Sequence, residues 1–156
     1  MRFELAGSLI QPEPLVIRID TNQTFDTLKY IDLGYTHFEI ICIGGGGGRG
    51  GGIDTVNSGT LVRNFGGAGG GGGFHRVRGL LSALPDACNV IVGQGGAPGN
   101  DHVSNPALTT NGGDGGTSSF NTNTCRASGG VGGKRAQSNS LTVSSQANGG
   151  DGGAGN

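Results

Sequence analysis

The sequence predicts a mainly β protein with extensive irregular glycine-rich structure. Short β-strands should be joined by packed polyglycine-II-type helices, with almost no α-helix. Three observations predict this. Glycine supplies 36 of the 156 residues, yet only Gly7 and Gly34 precede Gly44. The motif GGxGG occurs at 112–116, 129–133 and 149–153, beside two longer glycine runs at 44–52 and 66–73. Between the runs lie β-branched or alternating stretches such as 89–92 (NVIV), which a structureless linker would not need.

The head, residues 1–33, is read as an attachment segment and residues 34–156 as the glycine-rich domain, whose pattern is expected to continue beyond Asn156. Residues 2–5 read as a short strand, followed by a break at Pro12 and Pro14. The β-branched run 15–19 (LVIRI) reads as a strand through which the head would attach, and 20–22 (DTN) as a turn. Residues 25–33 fit helix or strand, and strand is preferred. Gly34 turns the chain, and 35–43 forms the clearest strand. In the body, 53–65 reads as a hairpin or loop between glycine runs, 74–78 as a strand, and 80–84 as one helical turn before Pro85. Residues 89–92 read as a strand, 100–111 and 135–145 as polar loops.

The glycine spacing carries the physical argument. A polyproline-II-type helix has three residues per turn and no internal hydrogen bonds, so every third residue lies on one face. Where that residue is glycine, two such helices can approach closely and bond backbone to backbone, which a buried backbone requires. The proposed structural positions are Gly44, Gly45, Gly46, Gly112, Gly113, Gly115, Gly116, Gly129, Gly130, Gly132, Gly133, Gly149, Gly150, Gly152 and Gly153. One such segment would not repay glycine's ordering entropy. Several together could.

Composition excludes several function classes. A net charge of −1 gives no basic surplus for nucleic acid or anionic membranes. No apolar run approaches the length needed to span a bilayer, and residues 1–9 lack the apolar stretch of a signal peptide. Cys42, Cys88 and Cys125 are odd in number and widely spaced, which suggests buried small hydrophobes in place of a disulfide framework or zinc site.

The chemical motifs fail one by one. The run 43–48 follows a strand like a dinucleotide fingerprint, but Arg49 and three glycines stand where the helix should begin. The stretch 129–134 resembles a phosphate loop, but Ser128 stands at the first glycine and Arg135 at the Ser/Thr position. His37, His75 and His102 have no partners at ligand spacing, and Ser118 and Ser119 lie in no nucleophile elbow. Asp54, Asp101, Asp114 and Asp151 lack the register of calcium-binding repeats and are expected to face solvent. No enzyme, cofactor or metal is expected.

A strand ending in IGGGGG, the run GGAGGGGGF, a strand closing in VIVGQGG, then NGGDGGTSSF and ASGGVGG together resemble the glycine-rich domain of phage tail proteins, over residues 24–155. The resemblance implies a non-enzymatic virion protein, assembled in the host cytoplasm and placed in the tail as a minor tail protein, tip or fibre. It also implies packed polyglycine-II layers with variable loops at one end. Expected partners are further copies of the chain (a trimer favoured), other tail proteins, and a host-surface glycan or protein, with no nucleic acid and no membrane insertion. Asn57, Arg63, Asn100, His102, Asn105, Arg135 and Asn139 are the candidate contact residues. The alternative is a secreted polyglycine-II protein that binds ice or another surface. It would require a secretion signal, paired cysteines and a longer register.

Overall fold

The computed structural model describes residues 12–57, 60–103, 108–136 and 150–155. The expected strand at 2–5 lies outside them. The run 15–19 is not a strand. Two prolines precede it, no described strand pairs with it, and Val16 is 91% exposed. Only Ile19 turns back onto the core. Residues 25–33 divide in two, where one strand was preferred: β1 (Gln23–Asp26) runs into α1 (Thr27–Asp32). The switch is made at Asp26, whose carboxylate caps the helix by accepting from the Lys29 N–H at 3.2 Å. Gly34 then turns the chain at φ 89°, a conformation that favours glycine.

A ribbon of β2 (His37–Ile43) and β5 (Phe74–Leu80) pairs antiparallel over its full length. Phe38, Ile40, Cys42, His75 and Val77 face inward, while Glu39, Ile41, Ile43, Phe74, Arg76 and Arg78 face out. A 3-10 turn (Leu81–Ala83) follows at the expected place. β6 (Ala87–Ile91), β8 (Ser118–Phe120) and β9 (Cys125–Ala127) complete a four-stranded sheet in the order β1–β6–β8–β9. The ribbon lies on the β8–β9 side of this sheet. Between them sits a small core of Cys42, Cys88, Val90, Phe120, Cys125 and Ala127. All three cysteines are free and buried, as expected. Burial, with Cys125 alongside, pushes the Cys42 thiol up to about 12. A third sheet, β4–β3–β7, is built from the hairpin β3 (Ile53–Asn57) and β4 (Thr60–Asn64) with the short parallel strand β7 (His102–Val103).

The glycine runs form the rest of the body: I (44–52), II (66–73), III (93–100), IV (110–116), V (128–136) and VI (150–155). They belong to no sheet, yet their backbones bond to one another at every third residue. Gly44, Gly47 and Gly50 donate to the carbonyls of Gly73, Gly70 and Gly67. Gly45, Gly48 and Gly51 donate to Gly116, Gly113 and Thr110. Segment I in turn accepts from Gly96 and Gly99 of III and from Gly130, Gly133 and Ala136 of V. Segments II and IV each bond V, III bonds IV, and VI bonds II and V. These pairings close into two layers, II–I–III and VI–V–IV, offset so that each run sits over a groove. Runs I, III and V point one way and II, IV and VI the other.

The contacts explain why these runs must be glycine. A Cβ on Gly47 or Gly48 would lie 2.2 Å from the Val131 oxygen and 1.9 Å from the Ala97 oxygen. Carbon and oxygen ordinarily stay about 3.3 Å apart or more. In segments I and V, each bonded to four neighbours, two positions in three are closed in this way. Segment III, with two neighbours, is closed only at Gly93, Gly96 and Gly99. The share of positions closed by close approach is thus greater in the interior segments I and V than in the edge segment III. None of these glycines has a positive φ. Close approach, not backbone conformation, selects them.

Candidate functional site

At the end of the array remote from the ribbon, segments I, II and III run into the β4–β3–β7 sheet. A cleft of about 750 Å³ opens there, lined by Arg49, Asp54, Arg63, Asn64, Phe65, Asp101, His102 and Val103. Three stretches of chain meet at this point, because β3 follows segment I, β4 precedes II, and β7 follows III.

Two ion pairs shape the cleft. Arg49 stands at an outward third position of segment I and grips Asp101 through both guanidinium nitrogens, at 2.7 and 2.8 Å. Asp101 also accepts from the Gly52 N–H at 2.7 Å, so one carboxylate ties segments I and III together and caps the end of I. The Arg49 hydrogen bonds, and then the Gly52 N–H, hold the Asp101 carboxyl down at about 2. Across β3 and β4, Asp54 and Arg63 are register partners and pair at 3.4 Å. Phe65, just after β4, is 75% exposed at the rim. The His102 ring makes a hydrogen bond with the Val103 carbonyl at 2.6 Å. With histidine neutral, the two arginines and two aspartates balance, and the cleft presents forked donors and acceptors beside an aromatic face. Among the described residues no group of His, Cys, Asp or Glu could hold a metal ion.

The structure brings together two of the expected contact residues, Arg63 and His102, from separate loops. Asn100 lies next to Asp101, with its own N–H given to the Thr110 hydroxyl at 2.8 Å. Asn57 ends β3. Asn105 and Asn139 lie outside the described residues. Arg135 is elsewhere: its N–H goes to the Asn111 side chain at 2.9 Å and its guanidinium to the Thr109 carbonyl at 3.0 Å, both part of the array's scaffold. Asp114 is exposed, as expected, and also caps the Gly132 N–H at 2.7 Å. Arg49, Asp54, Phe65 and Asp101 were missed as cleft residues, although Arg49 is the single charge inside runs I and II. Among the glycine positions, Gly46 and Gly152 have room for a Cβ, whose nearest atoms would lie at 3.7 and 3.8 Å, and Gly149 lies outside the described residues.

The glycine-rich domain family model matches residues 21–156. The chain belongs to that family. The match takes in the array, all three sheets and the cleft. No curated protein and no solved structure matches the chain.

Proposed function

We propose that this glycine-rich domain is a non-enzymatic structural part of a phage tail, at the tip or fibre, whose six glycine runs are polyglycine-II-type helices. The three-residue period of their backbone hydrogen bonds is that of such a helix, and the hexagon-like offset of the two layers suits it. The observation that carries the role is the pairing of a stiff backbone-bonded array with a polar cleft at one end. A body held by main-chain bonds transmits load and presents loops without a large apolar core. The loops 53–65 and 100–111 are the proposed host contacts, toward a glycan or a surface protein, and the chain acts as a homo-oligomer beside other tail proteins in the virion. No catalytic step and no cofactor enter this reading.

The test is peptide mass spectrometry on intact tailed virions, followed by gold-labelling of this protein and imaging. Label at the distal tail is expected, and absence from virions would overturn the reading. The helix assignment is checked apart from it, by NMR scalar couplings across the bond from the Gly48 N–H to the Gly113 carbonyl and its three-residue repeats. One observation favours a secreted surface-binding protein: on the outer face of layer II–I–III, Gly46, Gly71 and Gly95 are glycine although a Cβ at each would meet no atom closer than 3.7 Å. Thermal hysteresis of a frozen solution would reveal ice binding, and the three unpaired cysteines speak for a reducing compartment.

A further inference from the structure

The two ion pairs of the cleft are held differently. Arg49 and Asp101 form a closed pair. Both guanidinium nitrogens reach the carboxylate, at 2.7 and 2.8 Å, and the Gly52 N–H takes a further place on Asp101 at 2.7 Å. These groups fix the wall where segments I and III end. Asp54 and Arg63 form an open pair. They meet once, Nε to Oδ2, at 3.4 Å, and the Arg63 side chain is 60% exposed. Among the described residues nothing else bonds either side chain. The guanidinium therefore keeps its two terminal amino groups as donors, and the carboxylate keeps an oxygen as acceptor. The two residues are register partners on β3 and β4, so the hairpin sets their spacing.

Two more groups face the same space. Phe65 comes two residues after Arg63, so an extended chain sends both side chains to one side, and both line the cleft. The Phe65 ring is 75% exposed. His102 adds an acceptor. The Val103 carbonyl can only accept, so the 2.6 Å contact requires the proton on His102 Nδ1. In the neutral ring Nε2 is then left with its lone pair.

These groups select a class of ligand. The cleft sets donors beside acceptors without a net charge. A hydroxyl both donates and accepts, and neighbouring hydroxyls match the forks of a guanidinium and a carboxylate. The exposed ring asks for something else. Its negative face attracts C–H groups that carry a slight positive charge. A neutral pyranose ring has both, hydroxyls around its rim and C–H groups on its face. An anion is disfavoured, because each arginine already faces an aspartate. A protein partner is disfavoured as well. The centres of protein interfaces are depleted in charge, whereas four charged side chains line this cleft. Its volume of about 750 Å³ is that of a site enclosing a small ligand.

We propose that the cleft binds a neutral hexopyranose unit of a glycan. Phe65 is the stacking face, Arg63 and Asp54 read the hydroxyls, and His102 Nε2 accepts from one of them. Arg49 and Asp101 are positioning residues that hold the wall. The inference rests on the cleft as the host-contact end of the molecule, and it chooses a glycan over a surface protein.

The experiment presents the purified full chain to immobilised neutral, amino and acidic glycans, then titrates the best neutral one by calorimetry. Binding to neutral hexose glycans is expected. Phe65→Ala and Arg63→Ala should each weaken it by about tenfold, with thermal melts unchanged because both side chains are exposed. Phe65→Tyr should bind as the wild type does. Arg78→Ala, on the ribbon at the other end of the array, should leave the affinity unaltered. Binding to no neutral glycan, binding confined to charged glycans, or full affinity in both alanine variants of the cleft would overturn the proposal. Label on the distal tail without glycan binding would sink this site and leave the tail role standing. Glycan binding without label on virions would do the reverse.

Discussion

Gly48→Ala tests the principle that builds the array. The added methyl would sit 1.9 Å from the Ala97 oxygen, 2.5 Å from its carbon and 2.8 Å from the Gly96 oxygen. Restoring an ordinary separation of about 3.3 Å requires segments I and III to part by about 1.4 Å. Gly48 also donates to the Gly113 carbonyl at 2.8 Å, and its carbonyl accepts from Gly133 at 2.8 Å, so the shift strains bonds to two further segments. Overpacking costs about 1–3 kcal/mol, and each buried backbone group left unpaired costs about 1–3 kcal/mol more. With one such group lost the sum is roughly 2–6 kcal/mol, which for a chain of this size lowers Tm by roughly 4–24 °C. The control is Gly152→Ala, whose methyl would find its nearest atom at 3.8 Å. That change removes only unfolded-chain entropy and should stabilise by about 0.4–1 kcal/mol. The assay is a circular-dichroism melt of both variants beside the wild type. Equal melting points for the two would refute close packing as the reason for glycine.

Three further outcomes are expected. Asp114→Ala removes the cap on the Gly132 N–H at the edge of the array and should cost about 1 kcal/mol in a denaturant titration, while Asp114→Asn should recover most of it. Asp101 has its carboxyl held at about 2 in the folded chain against about 3.9 unfolded, so its contribution is full above about pH 4 and disappears as pH falls toward 2. The stability difference between wild type and Asp101→Asn should shrink over that window, and a difference constant with pH would contradict the Arg49 clamp. Cys88 and Cys125 have no exposed surface and the Cys42 thiol is raised to about 12, so a thiol reagent at neutral pH should label none of the three until the chain unfolds. Labelling of the folded chain as fast as of free cysteine would show that the core is not closed.

Much of the fold was legible because its signals are local. The alternation in 35–43 and 74–78 gave the ribbon, the β-branched run 89–92 gave β6, and the polar insert between two glycine runs gave the hairpin. The run 15–19 has the same composition as a strand but no partner strand among the described residues, and strand formation depends on the partner. Residues 25–33 divided because one capping contact at Asp26 outweighed a loose apolar alternation. The cleft was legible only in part. Arg63 and His102 could be named from their loops, but Arg49 and Asp101 are 52 positions apart, and only the packing of segment I against III sets one beside the other. That register comes from the glycine spacing, which shows that segments meet and not which ones.

Which ones meet is nonetheless written in a coarser form. A segment surrounded on four sides must surrender two side chains in three, whereas one at the edge surrenders one. Runs I and V, each bonded to four others, are closed at two positions in three, and run III, closed only at 93, 96 and 99, is an edge, whereas run VI is an edge although it too reads GGxGG. By that rule Gly46, Gly71, Gly95 and Gly152 are surplus. Segment I has lost all three of its side-chain positions in 46–48 while only four neighbours surround it. The chain's own contacts account for Gly47 and Gly48, and they leave Gly46, like Gly152, with room for a side chain.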